Sequence, residues 1–230
     1  MKRAEIRPPV RVGAEPLPDG RLLGWAEWGP PDGTPVLLSP GAATGRSLGF
    51  GAGVVDGLGV RLISLDRPGL GVSTPSPGRT FAGFADDVRA FAARRGLDRP
   101  VMVGNSQGAP FALACAARSV TRACDLAVYR EPTFAAAYRR ALDEAFAPGP
   151  EGYARDTALA MGRWDVDLAS ITVPVDLWYG QEDTGHSPDQ GASLTARVPG
   201  AVRHLVPGIG GAVLWTHAKD VLRALLKHSS

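Results

Sequence analysis

The chain has 230 residues, of which 44% are hydrophobic and 21% charged, a composition typical of one globular domain with a sizeable core. Its 25 basic and 23 acidic residues nearly balance and are scattered along the chain, which argues against a nucleic-acid-binding surface. The N-terminal segment lacks the apolar core of a secretory signal, and no apolar run approaches the ~18 residues of a membrane span. We therefore expect a cytoplasmic protein with no membrane partner.

Short apolar runs alternate with amphipathic segments along the chain. Runs bounded by Gly and Pro predict strands that are buried on both faces, at residues 22–29, 35–41, 60–69, 101–105, 124–130, 173–180 and 202–208. The segments between them predict helices, over residues 80–96, from Ser106 onward, over 187–200 and over 211–228. For the helix over 187–200, Ser187 is expected to cap and Pro188 to open it. This alternation predicts an α/β fold in which helices cover both faces of a mostly parallel central sheet.

One interval interrupts the alternation of strands and helices. Between about residues 131 and 171, two helical stretches follow each other with no strand between them. We expect them to form a short helical lid over the carboxyl edge of the sheet, where α/β folds bind ligands, within a single domain of residues 1–230. The lid is rich in aromatic residues, of which at least half are expected to be lid core rather than pocket wall: Phe134, Tyr138, Phe146, Tyr153 and Trp164.

A serine stands between two glycines at residues 104–108, Gly-Asn-Ser-Gln-Gly, directly after one predicted strand and before an alanine-rich helix. In that context the serine occupies a sharp, strained turn, and the flanking glycines let neighbouring segments approach closely. The N-terminus of the following helix favours negative charge that develops beside the serine. The pattern predicts that Ser106 is a nucleophile rather than part of an ordinary tight turn.

Three segments together resemble the α/β-hydrolase fold over nearly the whole chain. They are residues 104–108 as the nucleophile elbow, "DRPGLGVS" at 66–73 as the loop after the preceding strand, and "WYGQEDTGHSP" at 178–188 as the acid-bearing loop. The order of these loops is the order found in that fold. The resemblance implies that Ser106 is the catalytic serine and that the backbone N–H groups of Ala42 and Gln107 form the oxyanion hole.

The same resemblance implies that Asp183 is the catalytic acid, because it follows a strand at the carboxyl edge of the sheet. A turn or cap role is the alternative, since Asp-Thr-Gly is also good turn chemistry. Glu131, at the end of the strand before the lid, is a rival acid, because some members of the fold use that position. Asp66 and Arg67 are interpreted as residues that support loops.

The resemblance fails at the histidine, which the family places after the last strand in a Gly-x-Gly-His context. Gly211 stands in that place and has no side chain to accept a proton. His217 lies six residues further along the final helix, about 9 Å of rise, which is too far to reach Ser106. His204 lies within the last strand and His228 at the chain end, and neither position suits a base.

His186 follows Asp183 by three residues in the same loop and is the remaining candidate for the base. Loops at the carboxyl edge converge on the nucleophile, so this imidazole could reach the space that Gly211 leaves. The alternative is a loop histidine bonded to a backbone carbonyl. If His186 is the base, Asp183 is expected to be too close in the chain to orient it well, and Glu131 becomes the better partner.

Two classes of function stay open. In the first, a serine hydrolase attacks an ester, thioester or lactone of a small, mostly apolar substrate through Ser106, with His186 or a water relay as base. In the second, a non-hydrolytic catalyst of cyclisation, elimination or isomerisation, or a ligand-binding protein, uses the same fold. Cys115 and Cys124 suit neither a disulfide framework nor a metal site, and we expect no metal and no organic cofactor. The expected partner is a small-molecule substrate, and the sequence leaves the oligomeric state open.

Overall fold

The computed structural model describes residues 6–118, 122–125, 132–183, 185–211 and 213–228, with the backbone alone for 122–125 and 132–135. In this part of the chain eight strands form one sheet in the order β1-β2-β4-β3-β5-β6-β7-β8. The strands are β1 Arg11–Pro16, β2 Leu22–Trp28, β3 Thr34–Ser39, β4 Val60–Leu65, β5 Val101–Gly104, β6 Arg122–Asp125, β7 Val175–Gly180 and β8 Val202–Val206.

The sheet is mostly parallel, as predicted. Pairing is antiparallel between β1 and β2 and between β2 and β4. The pairs from β4 through β3, β5, β6 and β7 to β8 are all parallel. Because parallel strands end at the same edge, the loops that follow β3, β4, β5 and β7 meet at the carboxyl edge of the sheet.

Strand β1 is absent from the sequence prediction. It lies at the edge of the sheet, pairs with β2 alone, and alternates between exposed and half-exposed residues. A strand in that position needs no continuous apolar run, so the signal that marks the inner strands is missing. Its Gly13 lies beneath the ring of Trp25, where a Cβ would stand 2.6 Å from Cζ2.

Helices cover both faces of the sheet. They are α1 Phe81–Arg94, α2 Ala109–Ala117, α3 Pro132–Phe146, α4 Glu151–Met161, α5 Ala192–Arg197, α6 Val213–Thr216 and α7 Ala218–Lys227. Successive strand residues enter opposite cores: Val36 and Leu38 pack on the side of α6 and α7, whereas Leu37 packs on the side of α1 and α2. Both faces of the inner strands are therefore buried, which explains their continuous apolar sequence.

Two predicted helices differ from the structure. The helix predicted over 187–200 begins only at Ala192, because Gln190 and Gly191 have positive φ angles of 50° and 77° and form a turn. A Cβ on Gly191 would collide with the ring of Tyr179, so the turn needs glycine there. The helix predicted over 211–228 is interrupted at His217, which separates α6 from α7.

Helices α3 and α4 follow each other between β6 and β7 without a strand in the described residues, as the sequence predicts for this interval. The single-domain assignment and the lid role stay predictions. Among the residues that the structure describes, no helix combines the length and the apolar character of a membrane span.

Candidate active site

Ser106 directly follows β5 and adopts a backbone conformation that L-residues rarely take, with φ at 47°. Both flanking glycines are required by close backbone approach. A Cβ on Gly104 would lie 2.6 Å from Cα of Ala109, and a Cβ on Gly108 would collide with the carbonyl oxygens of Ser39 and Pro40. The Gly-x-Ser-x-Gly pattern thus builds a tight, strained turn that raises the serine at the sheet edge.

The structure brings Ser106, His186 and Asp183 into one chain of contacts. Ser106 Oγ lies 3.0 Å from Nε2 of His186, and Nδ1 of His186 lies 2.8 Å from Oδ2 of Asp183. With its proton on Nδ1, where the carboxylate accepts it, the imidazole presents Nε2 as an acceptor to the serine hydroxyl. This arrangement can remove the proton of Ser106 as an electrophile is attacked.

Asp183 is held in place by the turn that carries His186. Its side chain is 4% exposed, and Oδ1 accepts hydrogen bonds from the backbone N–H of Gly185 at 2.9 Å and of His186 at 3.1 Å. These bonds fold the short segment back, so that the imidazole meets Oδ2 of the same carboxylate. The expectation that Asp183 stands too close in the chain to orient His186 is wrong for this reason. Glu131, the rival acid, lies outside the described residues.

Gly211 lies against the imidazole of His186. A Cβ on Gly211 would stand 3.3 Å from Cε1 of His186 and 3.5 Å from Oδ2 of Asp183. Two of the other histidines lie elsewhere: His204 and His228 both contact Asp176, at 2.6 and 3.0 Å. The ring of His186 therefore occupies space beside the backbone position where the resemblance implies a histidine.

A cavity of about 640 Å³ opens in front of Ser106 and His186. Ala42 and Gln107, the residues whose N–H groups are predicted to bind an oxyanion, also line it. One face of α4 forms a wall, with residues at helical spacing: Tyr153, Thr157, Ala160 and Met161. The Gln107 side chain is hydrogen-bonded to α4: its Nε2 donates to Oγ1 of Thr157 at 2.9 Å.

A second cavity of about 660 Å³ adjoins the first, and the two share Trp164, Tyr179, Ser187 and Leu194. Exposed Arg163 and Arg197 line the second cavity. Within the described part of the chain neither guanidinium forms an ion pair with a carboxylate, although most other arginines near the surface do. The carboxylate of Asp189, also on this wall, accepts hydrogen bonds from its own turn.

Some residues at the site carry no signal in the sequence. Asp156 and Arg79 are buried beside Arg67 under the loop that contains Ala42, yet they are 77 residues apart in the chain. Neither residue has a role that the sequence predicts, because a single charged residue in an amphipathic segment is most often solvated. Among the described residues, no three His, Cys, Asp or Glu side chains cluster as ligands for a metal ion would.

Comparison with known proteins identifies the fold. Residues 34–128 match a family model described as alpha/beta hydrolase fold. An esterase from Rhodococcus sp. superposes with a TM-score of 0.72 at 18% identity, covering 95% of this chain and 98% of its own. An enol-lactonase from Burkholderia xenovorans superposes with a TM-score of 0.75 at 18% identity, covering 94% of this chain and 99% of its own.

An alpha/beta hydrolase fold protein from Nakamurella multipartita superposes with a TM-score of 0.76 at 18% identity, covering 96% of this chain and all of its own, 100%. None of the curated proteins compared with the chain matches its sequence. The chain has the α/β-hydrolase fold, and the resemblance seen in its sequence is confirmed at this level.

Proposed function

We propose that the chain is a serine hydrolase that cleaves an ester, thioester or lactone of a small, mostly apolar substrate. One observation carries the proposal: the contacts that join Ser106 Oγ to His186 Nε2 at 3.0 Å and His186 Nδ1 to Asp183 Oδ2 at 2.8 Å. A nucleophile within hydrogen-bond reach of a base, with a third group orienting that base, is the arrangement that acyl transfer requires.

In the proposed reaction, Ser106 Oγ attacks the substrate carbonyl carbon as His186 Nε2 takes its proton. The carbonyl oxygen becomes an oxyanion, held by the backbone N–H groups of Ala42 and Gln107. The oxyanion collapses to an acyl-enzyme, and the leaving group takes the proton from His186. Water then attacks the acyl carbon as the imidazole takes a proton from it. As the bond from the acyl carbon to Ser106 Oγ breaks, the imidazolium returns that proton to Oγ, which releases the acid and restores the serine. The Asp183 carboxylate stabilises the imidazolium in each half of the reaction.

The walls of the cavity support the choice of substrate. Aromatic and aliphatic side chains predominate around the reacting oxygen: Tyr153, Met161, Trp164, Tyr179 and Leu194. A cavity of about 640 Å³ is in the range that encloses a small organic molecule. The proposal includes the lid role of α3 and α4, since α4 contributes one wall. Structural neighbours named as an esterase and an enol-lactonase act within the same reaction class.

The alternative of a non-hydrolytic catalyst or a ligand-binding protein depends on the lack of a base, since Gly211 stands where the resemblance implies a histidine. An imidazole 3.0 Å from Ser106 supplies that base and favours hydrolysis. A fluorophosphonate probe distinguishes the two readings. We expect it to label wild-type protein at Ser106 and not Ser106→Ala, and we expect the wild type alone to hydrolyse p-nitrophenyl butyrate. Unlabelled wild type, or equal turnover by Ser106→Ala, would contradict nucleophilic catalysis.

A further inference from the structure

Arg67 lies beneath the loop that follows β3 and donates to two consecutive carbonyl oxygens of that loop. Its Nη1 donates to the oxygen of Pro40, and its Nη2 donates to the oxygen of Gly41 at 3.0 Å. The Gly41 oxygen also accepts from Oγ1 of Thr44 at 2.9 Å. The Arg67 side chain is 0% exposed, so these bonds are shielded from water.

The bond to Gly41 determines the direction of the next N–H group. In a trans peptide the carbonyl and the following N–H point in opposite directions, and the Gly41–Ala42 peptide is trans. Because Arg67 and Thr44 draw the Gly41 oxygen to their side, the N–H of Ala42 points to the opposite side. Ala42 lines the cavity together with Ser106. The guanidinium thus aims the N–H that the proposed mechanism needs at the oxyanion.

Asp156 of α4 holds Arg67 in this position. Its Oδ2 accepts from Nε of Arg67 at 2.6 Å, and its Oδ1 accepts from Nη2 of Arg79. The Asp156 side chain is 0% exposed and that of Arg79 is 2% exposed, so neither pair is weakened by solvent. Arg79 contacts the carbonyl oxygens of Pro68 and Gly152 but neither carbonyl of the Ala42 loop.

The same cluster fixes α4 against the loop that follows β4. A Cβ on Gly152, in the first turn of α4, would collide with the carbonyl oxygen of Gly69. The helix therefore packs directly on backbone at its N-terminal end, and Asp156 extends from the next turn to both arginines. Asp156 lies four residues after Gly152. Through its bond to Arg67, the Asp156 carboxylate links α4, which forms one wall of the cavity, to the loop that contains Ala42.

We propose that Arg67 is a positioning residue of the oxyanion hole, held in place by Asp156 of α4. The inference rests on the proposed hydrolase function and adds the group that orients one of its two N–H donors. If the Ala42 N–H is misdirected, the transition state loses more stabilisation than the bound substrate does, because the negative charge on the oxygen develops only as Ser106 attacks.

Two lysine variants of largely buried, ion-paired arginines provide the test. Arg67→Lys removes the fork that holds both carbonyls, whereas Arg61→Lys alters an arginine of β4 that pairs with the buried Glu27 and, among the described residues, has no contact with the Ala42 loop. Turnover of p-nitrophenyl butyrate, inhibition by a trifluoromethyl ketone and Tm are measured for both. We expect Arg67→Lys to lower kcat and to weaken the inhibitor, each by about tenfold or more, with KM within about threefold of wild type.

For Arg61→Lys we expect kcat, KM and inhibition all within about threefold of wild type, even if its Tm falls as much as that of Arg67→Lys. Equal kcat in the two folded variants, or a loss confined to KM, would overturn the role of Arg67. If Arg67→Lys does not fold, Asp156→Asn replaces it with the same expected outcome. If the fluorophosphonate fails to label wild-type protein at Ser106, the hydrolase proposal and this inference are both overturned. If Ser106 is labelled normally and the two lysine variants do not differ, only the role of Arg67 is overturned.

Discussion

The imidazole of His186 lies against the Cα of Gly211: a Cβ on this glycine would stand 3.3 Å from Cε1 and 3.5 Å from Nδ1 of the ring. A larger residue at position 211 would therefore compete with His186 for one space. The position that the family resemblance assigns to the histidine and the position that holds one here lie on different loops, after β8 and after β7, but they face the same volume beside Ser106.

Removal of this imidazole is expected to abolish most of the activity. His186→Ala should lower kcat for p-nitrophenyl butyrate by about 10²- to 10⁴-fold, the usual contribution of a general base. His228→Gln, which alters a histidine bonded to Asp176, should stay close to wild type. A His186→Ala variant with unchanged kcat would show that another group takes the proton.

A histidine at position 211 is expected to compensate for the loss of His186. In the His186→Ala background, Gly211→His should recover at least about tenfold in kcat, because the vacated space admits the new ring beside Ser106. In the wild-type background, Gly211→His should instead lower kcat, since the two rings collide. Recovery that is equal with Gly211→Gln would contradict the shared-space explanation, because an amide cannot serve as the base.

Asp183→Asn is expected to lower kcat by about 10³-fold or more while the fold is kept. The Asn amide can turn its N–H group toward Nδ1 of His186, which forces the ring proton onto Nε2, the atom that must accept from Ser106. Glu131→Gln serves as the comparison and should keep kcat within about twofold of wild type. The reverse result, a large loss only in Glu131→Gln, would transfer the role of the acid to Glu131.

The two exposed arginines of the second cavity are expected to favour substrates with a remote carboxylate. We compare p-nitrophenyl hemiadipate with p-nitrophenyl hexanoate. Their acyl chains have the same length, so a difference in kcat/KM reports the effect of the terminal carboxylate. The double variant Arg163→Gln/Arg197→Gln should lower kcat/KM by about threefold to tenfold for the hemiadipate and leave the hexanoate unchanged. The expected loss is modest because exposed charges interact weakly. Arg223→Gln, exposed on α7, is the control. Equal losses for both esters would mean that these arginines do not recognise charge.

Stability in acid is expected to depend on Glu27, which is fully buried among Arg11, Arg61 and Arg95. Burial raises the pKa of this carboxyl, but bonds from Arg61 and Arg11 and the charge of Arg95 outweigh burial, so the pKa lies below its ordinary 4.5. A lowered folded-state pKa contributes stability that is present above about pH 4.5 and is lost as the pH falls through the folded value.

Urea unfolding of wild type and Glu27→Gln, measured over a range of pH, checks this pH dependence. The variant should lose about 3–5 kcal/mol in the free energy of unfolding at neutral pH, because three arginines are left around a neutral group. The difference from wild type should shrink below about pH 4.5. Asp86→Asn removes a half-exposed partner of Arg89 and Arg118 and should change the free energy by less than about 1 kcal/mol. A difference that is independent of pH would contradict the assignment to Glu27.

The inner strands and the serine turn could be predicted because their causes are local. Val36, Leu37 and Leu38 must all be apolar where both faces of β3 are covered, and the glycines around Ser106 follow from backbone contact. The partnership of Asp183 with His186 could not be predicted, because it depends on two backbone N–H bonds that spacing does not reveal.

The Arg67–Asp156 pair could not be predicted either, for a different reason. Its members stand 89 residues apart, on a loop and on a helix whose packing depends on the whole sheet. The sequence places Arg67 in the apolar run 60–69 and assigns it a loop-supporting role, but nothing in the local sequence marks Asp156 as its buried partner. Long-range ion pairs of this kind become visible only once the elements are placed in space.

Asp183 and His186, the acid and base of the proposed mechanism, occupy a single turn after β7 that is closed by bonds from the backbone of that turn to Asp183. The separation of the carboxylate and the imidazole is therefore set within this one turn. The packing of the turn against the loop after β5 sets the second distance, from the imidazole to Ser106, so the alignment of the three groups depends on how two loops are placed relative to each other.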